Sequence, residues 1–235
     1  MPELASAIRL PGPPQAVIFD MDGLLFDTEA LYRDAMIRTA PEFGQDMPVS
    51  LYLDTVGLSA EATRRVLKRH FGLAVDVDQF WKRATARFNA MAETELRLKP
   101  GVIELIALLE DMSLPFAIAT SSHHHDVKRN LDAHGLRDHF PTVVAYGDYD
   151  SGKPRPAPYL TAARCLAIPP EHCLALEDSH NGVRSAASAG MMTVMVPDLL
   201  PPSEEVRNLC VSIANSLLDV HHALLTIWRP MEQRA

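Results

Sequence analysis

No run of basic residues and no interleaving of basic with aromatic residues interrupts the 235-residue chain, whose formal net charge is −8. The electrostatic footprint of a nucleic-acid surface is therefore missing. No stretch supplies the ~18 apolar residues that a membrane-crossing helix needs. The opening segment carries Pro11, Pro13 and Pro14 and no apolar run. It does not read as a secretory leader, and residues 1–14 are expected to form a flexible tail. Cysteine is scarce: Cys165, Cys173 and Cys210 show no metal-ligand spacing. Free thiols in a cytoplasmic, reducing setting are the plain expectation. No pattern reports an oligomeric state, and a monomer is the simplest expectation.

What the chain has is apolar residues, 47% of the total, enough for one large core or two smaller ones. Ala16-Val17-Ile18-Phe19 runs directly into Asp20, Met21, Asp22 and Gly23. This pattern predicts a buried strand that delivers two acids to its carboxyl end. Paired carboxylates are costly unless a cation lies between them or one keeps its proton. A nucleophile beside a general acid/base, with a divalent metal, uses both solutions.

Five short apolar segments are predicted as strands covered on both faces: Ala16–Asp20, Phe116–Thr120, Thr142–Tyr146, Cys173–Asp178 and Thr193–Pro197. Helical patterns at Asp126–His134, Pro156–Ala167 and Gly182–Ala189 separate the last four. Strand and helix in alternation predict an α/β fold, a Rossmann-like doubly wound parallel sheet with its ligand beyond the strands' carboxyl ends. The alternation fails once. About 95 residues separate the first two strands, far more than one crossover needs. Helices predicted over Glu29–Thr39, Ala60–His70 and Val77–Glu95 make that insert an α-helical cap domain, residues 28–96, able to close over the site and exclude water. Residues 1–27 and 97–235 then form the core, beginning again with a helix over Val102–Met112.

Other predicted strand ends carry chemistry too. Thr120-Ser121-Ser122 reads as the start of a helix, a natural phosphate seat, although simple serine capping is the stronger explanation of this segment taken alone. Glu177-Asp178-Ser179 repeats the adjacent acids, and Gly152-Lys153-Pro154 holds a lysine in a stiffened loop. Hard carboxylate oxygens from two strands suit Mg²⁺. Lys153 can neutralise the nucleophilic acid and a phosphate oxygen, and the Thr120 hydroxyl can hold another. His123, His124 and His125 invite a metal, but neighbours on a helix point in different directions, and a solvated helix start explains them better.

These segments, in order, resemble the four motifs of the haloacid dehalogenase superfamily: Asp20-Met21-Asp22-Gly23-Leu24-Leu25-Phe26-Asp27-Thr28-Glu29, Ala119-Thr120-Ser121-Ser122, Gly152-Lys153-Pro154 and Glu177-Asp178-Ser179 with Gly182. The insert's position resembles the helical-cap subfamily, which includes sugar-phosphate and pseudouridine-phosphate phosphatases and β-phosphoglucomutase. The resemblance implies a Mg²⁺-dependent phosphomonoester hydrolase with a small phosphorylated metabolite as partner. Asp20 would be the nucleophile, forming an aspartyl-phosphate. Asp22 would be general acid and then base, with its carbonyl on the metal. Glu177 and Asp178 would complete the metal site with Asp20, and Glu177 would bind directly or through water. Gly23, Thr120, Ser121 and Lys153 would hold the phosphoryl group, Thr120 and Lys153 with catalytic effect. Departures are few: Ala157 stands where the family often has Asp in the lysine loop, and His123 follows Ser122.

Two alternatives accompany this reading. The mutase is expected to carry a cap histidine and a cap arginine where this chain has Tyr32 and Ala60; Arg64, Arg65 and Lys68 nearby read as solvated. A binding protein that kept the fold but lost turnover is opposed by the full set of catalytic residue types. Metal-free dehalogenase chemistry fits least, since it usually lacks the second acid, Asp22. Specificity is expected from Tyr32, Gly57, Leu58 and the helix Ala60–His70.

Overall fold

The computed structural model describes residues 8–56 and 60–232. The chain divides into two compact units, Met1–Phe26 with Leu98–Ala235, and Asp27–Arg97.

The first unit is a six-stranded, wholly parallel sheet. Its strands are β1 (Ala16–Phe19), β2 (Phe116–His123), β3 (Val143–Tyr146), β4 (Cys173–Glu177), β5 (Met192–Met195) and β6 (Ser212–Ile213). They lie in the order β3-β2-β1-β4-β5-β6. β1 pairs with both β2 (Ile18 opposite Ala117) and β4 (Ile18 opposite Ala175). All four residues of β1 and all five of β4 are buried, which is why their sequences run apolar without alternation. The strand order reverses at β1, so the crevice outside the carboxyl ends of β1 and β4 is the sheet's topological switch point.

Helices α5 (Val102–Asp111), α6 (His124–Ala133), α7 (Ala157–Leu166), α8 (His180–Ser188), α9 (Glu204–Leu209) and α10 (Leu217–Glu232) belong to this unit. One core cluster is built largely of alanine: Ala16, Ala117, Ala119, Ala162, Ala163, Ala175 and Ala186, with Tyr159 among them. Small side chains on both surfaces let the helices approach the strands closely. Elsewhere Phe19, Phe116 and Phe140 meet edge to face, with centroids 5.2–6.2 Å apart, a favoured aromatic geometry.

The second unit is helical: α1 (Thr28–Thr39), α2 (Val49–Leu53), α3 (Ala60–Phe71) and α4 (Val77–Glu95). The Asp76 side chain caps α4, accepting from the amides of Asp78 and Gln79 at 3.0 Å, which explains why that helix begins where the pattern places it. Phe80 anchors the interior against Phe43 and Phe71 at 5.6 and 5.1 Å. Arg87 joins α4 to Thr39 (3.0 Å) and Glu42. Among the described residues no helix is long and apolar enough to cross a membrane.

The structure corrects the expected elements in three places. β2 continues through Ser121 and Ser122 to His123, so these residues end a strand and the helix starts only at His124. The helix after Glu177 begins at His180, with Asn181 and Gly182 inside its first turn. The short edge strand β6 and the helices α2, α9 and α10 were not expected from the pattern. Residues 1–7 of the expected tail, and Gly57 and Leu58 of the expected specificity region, lie outside the described residues, as does the side chain of Ala60.

Candidate active site

The site grows from the carboxyl ends of β1 and β4. The Asp20 amide donates to the Leu176 carbonyl at 2.9 Å, which continues the ladder one residue past β1 and fixes where the side chain emerges. The chain then turns: the amides of Leu25 and Phe26 both donate to the Met21 carbonyl, and Gly23 donates to Phe26. Gly23 has φ +81°, and a Cβ there would lie 2.4 Å from Asp178 Oδ2. Both the backbone conformation and the space require glycine.

Lys153 bridges the acids of two strands. Its Nζ lies 2.5 Å from Asp20 Oδ1 and 2.6 Å from Glu177 Oε1, with the side chain only 7% exposed. The loop bearing it is held by α8, where the Ser185 hydroxyl donates to the Arg155 carbonyl at 2.6 Å. The Lys153–Pro154 peptide is cis. Burial opposes charge on Lys153, but the facing carboxylates of Asp20 and Glu177 outweigh it and raise its pKa above the ordinary value. Burial, with Glu177 and Asp22 nearby, pushes Asp20 up to about 8 against the pull of Lys153. The site holds more acid than one lysine can balance.

Glu177 is fully buried and its oxygens are already in use. Oε1 accepts from Lys153 and from the Tyr159 hydroxyl at 2.8 Å. Oε2 lies 3.1 Å from the amides of Asp178 and Ser179 and from the Ser179 hydroxyl. The carboxylate thus fills the amino end of α8. Gly182 makes this position available: a Cβ there would fall 1.7–2.0 Å from the atoms of the Glu177 carboxyl group. Burial and then Glu177 keep Tyr159 well above the usual phenol range, so it donates as a neutral hydroxyl.

Asp22 is half-buried and accepts from the Ser122 hydroxyl at 2.6 Å. Thr120 is completely buried; its Oγ1 accepts from the Ser122 amide at 3.0 Å, and its carbonyl accepts from the Tyr149 hydroxyl at 3.0 Å. Ser121 is exposed at the same strand end. Ligand atoms of Asp20, Glu177 and Asp178 all lie within 4.8 Å of one another, the only three-residue grouping of metal-ligating side chains among the described residues. Hard oxygen donors at this spacing fit a cation such as Mg²⁺.

The structure therefore brings Asp20, Lys153, Glu177 and Asp178 together and ties Asp22 to the Thr120–Ser122 segment. The histidine run makes contacts of its own. His124 Nε2 lies 2.8 Å from Asp148, His125 lies 3.3 Å from Asp126, and the rings of His123 and His125 stack. Sequence reasoning missed two supporting groups, the Ser122 hydroxyl on Asp22 and the Tyr159 hydroxyl on Glu177. Ser122 was visible inside the second motif. Tyr159 gave no signal, because an aromatic residue on an apolar helix face reads as core. In the helical unit, Tyr32 donates to or accepts from Thr85 Oγ1 at 3.2 Å and packs on Phe88 at 5.3 Å.

Comparison with known proteins agrees with this geometry. The family model for haloacid dehalogenase-like hydrolases matches residues 17–196. Hexitol phosphatase B of Escherichia coli strain K12 is 33% identical over 184 residues, 77% of this chain and 83% of that protein. The phosphorylated carbohydrates phosphatase of Thermotoga maritima is 31% identical over 177 residues, 75% of this chain and 82% of that protein. The crystal structure of CbbY from Rhodobacter sphaeroides in complex with phosphate superposes with a TM-score of 0.71 at 29% identity, covering 87% of this chain and 95% of that one.

Proposed function

The chain belongs to the haloacid dehalogenase-like hydrolases and is a phosphatase of that family, and we propose that it hydrolyses a small phosphorylated metabolite, such as a sugar or nucleoside phosphate, through an aspartyl-phosphate. The observation that carries this reading is Lys153 held between Asp20 and Glu177 at 2.5 and 2.6 Å, in a buried cluster that also contains Asp178. The names of the sugar- and hexitol-phosphatase relatives support the substrate class.

In this mechanism Lys153 occupies Asp20 Oδ1 and leaves Oδ2 to attack phosphorus. Lys153, the Thr120 hydroxyl and donors around Gly23 and Ser121 hold the phosphoryl oxygens, whose charge spreads as the ester bond breaks. Asp22, oriented by Ser122, gives its proton to the departing alkoxide. Water then attacks the phosphorus of the aspartyl-phosphate and passes a proton to Asp22; the Asp20–phosphorus bond breaks, and inorganic phosphate leaves. Asp20, Asp178 and the Asp22 carbonyl would hold Mg²⁺, which when bound offsets the excess acid and the charge of the phosphoryl group. Glu177, with both oxygens engaged, positions Lys153 and the turn into α8 and would meet the cation through water.

Hydrolysis rather than transfer between sugar hydroxyls is supported by Tyr32, whose hydroxyl is engaged by Thr85 where the mutase is expected to carry an imidazole. The test is Mg²⁺-dependent phosphate release from p-nitrophenyl phosphate and from a panel of phosphorylated metabolites. It is combined with acid quench of labelled substrate, to trap a hydroxylamine-sensitive phosphoprotein that disappears in Asp20→Asn. Absence of turnover across the panel would overturn the proposal.

A further inference from the structure

Asp198 lies just beyond β5, outside the four motifs. Lys99 Nζ grips one of its oxygens, Oδ1, at 2.7 Å, and the Asp198 side chain is only 7% exposed. The other oxygen, Oδ2, is buried and has no hydrogen-bond partner among the described residues. A buried carboxylate oxygen without a donor is expensive, more so than a neutral acceptor. Its direction is informative. The point where a Cβ on Gly23 would sit is 3.2 Å from Asp198 Oδ2 and 2.4 Å from Asp178 Oδ2. The two carboxylates therefore flank the same small space over the Gly23 backbone, beside the Asp20–Glu177–Asp178 group.

We propose that Asp198 is an outer acceptor of the cation site, held by Lys99 so that Oδ2 receives a hydrogen bond from a water on the bound divalent ion; the inference rests on the phosphatase reading above. Mg²⁺ keeps several of its waters and relies on neighbouring carboxylates to orient them. Asp20 and Asp178 would supply direct ligands, and Asp198 would supply an anchor for the hydration shell. Asp198 is thus a positioning residue: it acts on the ion through water and touches neither substrate nor nucleophile. Lys99 leaves Oδ2 as the oxygen available for this bond.

The experiment titrates the full chain with Mn²⁺ and follows the loss of the free-ion electron paramagnetic resonance signal, a readout independent of turnover. Asp198→Asn, nearly isosteric, is expected to weaken Mn²⁺ binding about 10- to 100-fold, with circular dichroism like that of the parent protein. Lys99→Met, which frees Asp198 to turn away, is expected to weaken binding in the same direction. Parent-like Mn²⁺ affinity in Asp198→Asn overturns the inference and leaves the phosphatase reading standing. Failure of the parent protein to bind Mn²⁺, together with absence of turnover, overturns both.

Discussion

Replacing Gly182 by alanine sets two opposing effects against each other. Gly182 is in the first turn of α8, where alanine should gain roughly 1 kcal/mol in helix propensity. The new Cβ, however, would fall 1.7–2.0 Å from the Glu177 carboxyl atoms. Glu177 is fully buried and pinned by Lys153, Tyr159, Ser179 and two amides, so it can yield only by leaving them. Losing two hydrogen bonds to a buried charge costs about 3 kcal/mol or more. The net expectation is destabilisation of about 2 kcal/mol, a fall in Tm of about 4–8 °C for a chain of this size. A displaced Glu177 also releases Lys153 from its position against Asp20, and kcat/KM is expected to drop about 10²- to 10³-fold, the loss typical of a misplaced charge-stabilising donor. Thermal unfolding by circular dichroism and p-nitrophenyl phosphate kinetics measure both. An alanine variant that melts at or above the parent temperature with an unchanged rate would refute the reasoning, because it would mean that Glu177 does not need the space Gly182 leaves.

Asp20→Asn keeps the shape of the side chain and removes the nucleophile; turnover is expected to vanish while circular dichroism stays parent-like, and near-normal rates in folded protein would remove Asp20 from its role. Asp22→Asn is expected to cost about 10²- to 10⁴-fold, with a larger loss for alkyl phosphates than for p-nitrophenyl phosphate. Equal small losses for both leaving groups would count against proton donation. Chelation links to pH through Asp20: with burial pushing its pKa up to about 8, the native state holds a proton that the unfolded state has released. That contribution to stability is complete at low pH and lost as the pH rises through about 8. EDTA-treated protein should therefore melt lower at about pH 9 than at about pH 6. Added Mg²⁺ should raise Tm more at the higher pH, and a Mg²⁺ gain independent of pH would contradict the picture.

The central strands were legible because burial on both faces leaves only apolar residues in β1 and β4, and chemistry then places acids where the strands end. The span of α4 was legible from its helical pattern, and the Asp76 cap found in the structure is the physical reason it begins there. The Thr120–Ser122 segment misled, since hydroxyl residues before a helix read as its start; here they extend β2 so that Ser122 can reach Asp22, a contact 100 positions away in sequence. Gly182 was legible as helical, but its purpose, the absence of a side chain against Glu177, was not, because that contact exists only once the strand and helix meet. The edge strand β6 has two residues and carries too little pattern to be read. Tyr159 and Asp198 were hidden because one looks like core and the other like surface until distant segments meet.

The position of β1 has a consequence during synthesis. It is the first strand of the sheet to be made, yet it pairs with β2 and β4, whose first residues are Phe116 and Cys173. At translation rates of about 5–20 residues per second, roughly 5–20 s pass before β2 emerges. Throughout that interval an apolar ribbon waits with both edges unmatched, while the intervening helical segment is being made. Nascent chains stalled within that window should be the form most prone to aggregate and most in need of a chaperone.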